Sequence, residues 1–138
     1  MDSVLLDTDI ILDFFLDREP FADFATEVLS LCERKEITGY VTPVIISNTY
    51  YILRTTAKHE KVIGKLRLLM SVLDVLSMDK KIIEHALNSN FKDFEDALQN
   101  FAAEQNPKVK VVLTRNLNDY KNSALSVMTP ESYLKSLK

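Results

Sequence analysis

Short apolar runs alternate with longer helical patterns along this chain. Residues 3–7, 38–42, 74–78, 109–114 and 126–128 are apolar and rich in β-branched types, which predicts strands. Between them, apolar residues recur at helical spacing over 9–16, 20–35, 43–57, 60–72, 80–90, 94–105 and 130–137. Pro20, Pro43 and Pro130 suit first-turn positions, where a missing N–H costs nothing. Thr42, Asp79, Asp93 and Thr129 stand where a side-chain cap is expected. Strands separated by helices predict an α/β fold around a parallel sheet. A length of 138 residues fits a single domain, 1–138, with a sizeable core.

Two of the strands stop abruptly at polar residues. Ser3-Val4-Leu5-Leu6 runs into Asp7, Thr8 and Asp9. Val109-Lys110-Val111-Val112-Leu113 runs into Thr114, Arg115 and Asn116, with Asp119 shortly after. In open α/β sheets ligands bind at this carboxyl edge. A third acidic cluster, Asp93-Phe94-Glu95-Asp96, opens a predicted helix. Asp7 closes an apolar strand, where a carboxylate is costly unless paired or bound to a cation. Asp93 and Asp96 lie three apart, so on a helix they share a face and repel.

Each acid also has a local explanation. Asp93 is a natural N-cap, Asp96 suits the positive end of a helix, and Asp119 suits a turn. Asp13 and Asp17 read as solvated charges on a helix face. Taken together, the three clusters predict one carboxylate-lined site for a hard divalent cation, Mg²⁺ or Mn²⁺. Such ions polarise a phosphodiester and activate water.

Composition removes other classes. Hydrophobic residues make up 46% and charged residues 27%, as in ordinary globular proteins. With 2 glycines and 4 prolines there is little room for linkers. A net charge of −3 exerts no global pull on nucleic acid, so RNA binding would need a local patch. Arg54, Lys58, His59, Lys61, Lys65 and Arg67 offer one, although such residues also line ordinary solvated faces. The single cysteine, Cys32, excludes an internal disulfide and reads as core. His59 and His85 fall outside the acidic set, which argues against a His-based zinc site. Tyr50, Tyr51, Phe14 and Phe15 read as core or dimer contacts rather than base-stacking platforms. No Gly-rich phosphate loop is present. No apolar run approaches the ~20 residues of a membrane span, and the N-terminal run is too acidic for a signal peptide. A cytoplasmic protein is the expectation.

At this point the motifs resemble the PIN-domain ribonucleases. Leu5-Leu6-Asp7-Thr8-Asp9 is similar to the family's opening, where Asp-Thr-Asn follows the first strand. Phe94-Glu95-Asp96-Ala97-Leu98 resembles the start of its later helix. Thr114-Arg115-Asn116 with Asp119-Tyr120 resembles its Thr-x-Asn-x-x-Asp-Phe segment, and Pro130-Glu131 its ending. The resemblance covers nearly the whole chain, in order. It implies a three-layer α/β/α sandwich with a parallel sheet ordered 3-2-1-4-5. It also implies metal-dependent cleavage of single-stranded RNA, often as the toxin of a toxin–antitoxin pair, with an antitoxin partner and a homodimeric assembly. By that likeness Asp7, Asp96 and Asp119 are the main metal ligands and, with Asn116, the catalytic residues, and Asp93 is a further metal residue that adds charge. Asn116 holds a neighbouring carboxylate or substrate, and Asp9, Ser47, Asn48, Thr114 and Arg115 are candidates for substrate contact.

The chain departs from the family at one position. The helix after the second strand commonly carries a Glu, but here it reads Val44-Ile45-Ile46-Ser47-Asn48-Thr49. A neutral amide is a weaker ligand than a carboxylate. The alternative reading is therefore a degenerate PIN domain that binds RNA or antitoxin without cutting. A strand ending in Asp-x-Asp also resembles the haloacid-dehalogenase phosphatases, with Asp7 as nucleophile. Those enzymes need a later acidic pair at a strand end, and no such pair follows Thr114.

Overall fold

The computed structural model describes residues 1–138. Five strands form one parallel sheet: β1 (Ser3–Leu6), β2 (Thr38–Val41), β3 (Asp74–Val75), β4 (Val109–Leu113) and β5 (Ser126–Met128). Their order is β3-β2-β1-β4-β5, and every pairing is parallel. The expected order 3-2-1-4-5 is therefore the observed one. β1 is buried over its whole length because it is central and covered on both faces.

Seven helices cover the sheet: α1 (Thr8–Phe15), α2 (Ala22–Glu33), α3 (Pro43–Leu53), α4 (His59–Met70), α5 (Lys80–Leu87), α6 (Phe94–Gln105) and α7 (Pro130–Ser136). One layer is built from α1 on α2 and α3, α3 on α4, and α2 on α7. The other is built from α5 on α6, with α6 packed on β4. The predicted caps at Thr42, Asp79, Asp93 and Thr129 each accept a hydrogen bond from a backbone N–H in the first turn.

Several boundaries differ from the pattern-based reading. α3 stops at Leu53, not 57, because the Thr55 hydroxyl bonds the Ile52 carbonyl and the Arg54 guanidinium bonds the Ala57 carbonyl. These local bonds offer the backbone an alternative to helix. Pro20 does not open α2. That helix begins at Ala22, after a turn closed by Arg18. The third strand shrinks to two residues at the sheet edge. A short 3₁₀ turn, Leu117–Tyr120, follows β4 and was not legible from the pattern. No helix is long and apolar enough to cross a membrane.

Side chains crowd against Gly39 of β2. A Cβ there would lie 2.6 Å from both Cys32 Sγ and Leu73 Cδ2. Gly39→Ala should therefore overpack this face and cost about 1–3 kcal/mol, read as a lower urea midpoint. An unchanged midpoint would mean that Cys32 and Leu73 move aside freely.

Candidate active site

β1 and β4 are neighbours that lead into connections on opposite sides of the sheet, which makes their carboxyl ends the switch point of the topology. The side chains there come from four segments. A cavity of about 460 Å³ opens at this edge, lined among others by Asp7, Asp9, Asn48, Glu95, Asp96 and Asn116. Its lining holds four carboxylates, those of Asp7, Asp9, Glu95 and Asp96, against the single guanidinium of Arg18.

Asp7 extends β1 by one ladder bond, its N–H donating to the Leu113 carbonyl at 3.0 Å. Its carboxylate then caps α1, accepting from the Thr8 N–H at 2.9 Å. The second oxygen accepts from the Thr114 hydroxyl at 3.0 Å. Both oxygens are thus fixed by neutral donors, and the residue is only 8% exposed. Burial, reinforced by the charge of Asp119, pushes its pKa up.

Asp9, in the first turn of α1, reaches across to the loop after β4. One oxygen accepts from the Arg115 N–H at 3.1 Å and from the Asn116 amide at 3.3 Å. The other is buried and bonds nothing. Burial and the neighbouring Asp7 raise this carboxyl to about 6. Asp96 stands in the first turn of α6, whose cap is Asp93. Burial comes first in raising it to about 7, followed by the charges of Asp7, Asp93, Asp119 and Glu95. A dipole-favoured acid at a helix start would be held low. Asp96 is held high, so repulsion and desolvation dominate.

A further buried group joins these acids. The Tyr120 hydroxyl is 1% exposed and makes no bond of good geometry. It lies close enough to Asp7, Asp96 and Asp9 for burial and their charges to raise its pKa strongly. Two orphaned polar atoms, Asp9 Oδ1 and Tyr120 Oη, therefore border one cluster of like charges. A cation is the chemical species that would satisfy this set, and its all-oxygen donors suit Mg²⁺ or Mn²⁺. The carboxylates are not drawn around one point: no three acidic, His or Cys side chains stand at ligand spacing. Mutual repulsion between bare carboxylates favours that wider spacing.

The remaining sequence candidates fall at various distances from the cavity. Asp119 sits exposed in the 3₁₀ turn and outside the lining, and acts on Asp7 and Asp96 through its charge. Asp93 caps α6 and does not line the cavity. Ser47 is exposed outside it, whereas Asn48 lines it. Thr114 is fully buried and bonded to Asp7, so it positions that acid rather than meeting substrate. Arg115 does not reach into the cavity. Its guanidinium forms a two-pronged pair with Asp13 at 2.7 and 3.1 Å and stacks 4.0 Å from the centre of the Phe21 ring. Asp13 corrects the reading of a solvated charge. It is 1% exposed, because its partner arrives from a loop a hundred residues away. Tyr51, expected in a core or dimer contact, lies 68% exposed on the cavity wall. Glu95 and Tyr120 were missed. Glu95 adjoins Asp96 in sequence, and that adjacency was the available signal.

The raised pKa values give a pH prediction. Asp9 and Asp96 hold protons in the folded protein that the unfolded chain releases near 3.8. Their stabilising contribution is fully present below that value and is lost as pH rises through about 6 and about 7. Metal-free protein should thus lose stability between about pH 4 and 7, and Asp96→Asn should flatten that slope. Parallel slopes for the two proteins in urea titrations would refute it.

Comparisons with known proteins agree with this fold. A family model described as the PIN domain matches residues 3–118. Among solved structures, VapBC-1 from nontypeable Haemophilus influenzae aligns with TM-score 0.68 at 16% identity, over 94% of this chain and 98% of that one. VapBC2 from Rickettsia felis, bound to a promoter DNA fragment, aligns with TM-score 0.62 at 16% identity, over 91% and 96%. Mycobacterium tuberculosis VapC20, a sarcin-ricin loop cleaving toxin, aligns with TM-score 0.60 at 16% identity, over 79% and 86%. At such identities the likeness speaks for the fold alone. No curated protein sequence matches the chain.

Proposed function

The chain belongs to the PIN-domain family, and from that premise we propose that it is a Mg²⁺- or Mn²⁺-dependent endoribonuclease acting on single-stranded RNA. Residues 1–138 act as one such domain. The observation that carries the reading is the cavity in which Asp7, Asp9 and Asp96 share one field, with raised pKa values and two orphaned buried oxygens beside them. The bound ion would polarise the scissile phosphodiester and activate the attacking water.

Asp7 and Asp96 are the main ligands, and Asp119 adds negative charge from outside the cavity wall. Thr8 and Thr114 lock the Asp7 carboxylate in one orientation. Asn116 holds Asp9, and its own N–H is anchored by the Thr114 hydroxyl at 3.0 Å. Lys58, Lys61 and Arg67 are exposed, and such cations would attract the RNA backbone. A toxin role is supported by the likeness in fold to VapC20, a sarcin-ricin loop cleaving toxin. The partner is then a small antitoxin protein, the assembly a homodimer, and the compartment the cytoplasm.

The test is cleavage of a labelled single-stranded RNA by purified protein. Cutting should require Mn²⁺ or Mg²⁺ and stop on addition of a chelator. The rival reading, a PIN domain that binds without cutting, is favoured by Asn48 in place of the usual acid. RNA binding without metal-dependent cleavage would establish it.

A further inference from the structure

The acid absent from α3 has a counterpart in space. We infer that Glu95, oriented by Asn48, supplies the carboxylate that α3 lacks and completes the metal site from α6. This rests on the metal-dependent reading above and names a further residue of the same site.

Four observations lead to it. Glu95 and Asp96 are consecutive in the first turn of α6, so their side chains diverge by roughly 100° around the helix axis. Asp96 answers to the charges of Asp7 and Asp119, while Glu95 reaches toward α3. There the Asn48 amide donates to the Glu95 carboxylate at 2.9 Å. Both residues line the cavity that Asp7, Asp9 and Asp96 line. The buried, unbonded Tyr120 hydroxyl lies against the same acids, so the cluster carries an unmet polar demand as well as charge.

The chemistry of the pair fits this division of labour. Asn48 uses its amide hydrogens on Glu95, so its role toward the ion is indirect. An amide donor fixes one carboxylate oxygen and leaves the other oxygen available. The position on α3 has thus changed from supplying charge to orienting charge supplied by α6. Asn48 is the positioning residue and Glu95 the ligand.

The test is calorimetric titration of Mn²⁺ into the full-length protein, with RNA cleavage as a second readout. Glu95→Gln should weaken Mn²⁺ binding by about tenfold or more. Glu95 is exposed and its carboxylate bonds only Asn48, so the metal-free melting temperature should not fall below the wild-type value. Asn48→Ala should weaken binding by a smaller factor, since the acid remains. The exchange variant, Asn48→Glu with Glu95→Gln, returns one acid and one amide to the same wall. It should recover most of the affinity and the cleavage that Glu95→Gln loses, which a merely structural role would not do. Wild-type Mn²⁺ affinity in Glu95→Gln, or an exchange variant no better than Glu95→Gln, overturns the assignment and leaves the metal site standing. A wild-type protein that takes up no Mn²⁺ overturns both.

Discussion

Asp7→Asn will leave a folded protein whose RNA cleavage falls by about a thousandfold or more. Metal-ion stabilisation of the reacting phosphate is worth several kcal/mol, and about 4 kcal/mol corresponds to a thousandfold in rate. Asp7 occupies the most buried acidic position in the cavity, and its neighbour Asp9 is already held by the Arg115 N–H and the Asn116 amide. The amide retains an oxygen to accept from Thr8 or Thr114, so the fold keeps one of those bonds. Removing a desolvated charge from a repelling cluster offsets the other. Single-turnover cleavage assays beside circular dichroism would show both halves. A rate within tenfold of wild type would mean that the reaction is organised elsewhere.

The second large effect is on stability. Asp13 is almost fully buried and depends on Arg115, with Arg18 standing farther off at 3.8 Å. Removing one partner of a buried ion pair costs about 3–5 kcal/mol, and partial exposure of Arg115 brings the expectation for Arg115→Met to about 2–4 kcal/mol. The variant also loses the stacking on Phe21. Adding Asp13→Leu should recover much of the loss, because two apolar side chains then meet where an unpaired carboxylate stood. Urea unfolding of the single and double variants measures this. A loss below about 1 kcal/mol for Arg115→Met would show that Arg18 or water solvates Asp13 adequately.

Much of this arrangement is legible in the chain. A central parallel strand is buried on both faces, so β1 reads as an uninterrupted apolar run, and its sudden end at Asp7 marks the carboxyl edge of the sheet. Capping residues act within a few positions of themselves, and Thr42, Asp79, Asp93 and Thr129 were accordingly legible. What pattern cannot carry is pairing across the chain. Asp13 looks like a surface acid until Arg115 is brought against it. Thr114 and Arg115 look free to meet substrate until Asp7 and Asp13 engage them. Glu95 illustrates the same limit from the other side: its neighbour Asp96 carried the motif, and only the approach of α3 shows that Glu95 faces the cavity too. Tyr120 sits where an apolar ring would satisfy the core equally well, so its hydroxyl acquires meaning only from the acids around it.

The central claim is that these carboxylates repel one another in order to receive a cation. Thermal unfolding of wild type and Asp96→Asn, each with and without Mn²⁺, addresses it most directly. Wild type should melt several degrees higher with Mn²⁺, as expected when a ligand binds only the folded state at about a hundred times its Kd. Asp96→Asn should melt higher than wild type without metal and gain little or nothing when Mn²⁺ is added. A metal-free Asp96→Asn protein that melts well below wild type, or a wild type indifferent to Mn²⁺, would contradict the account and leave Asp96 as a structural residue at the start of α6.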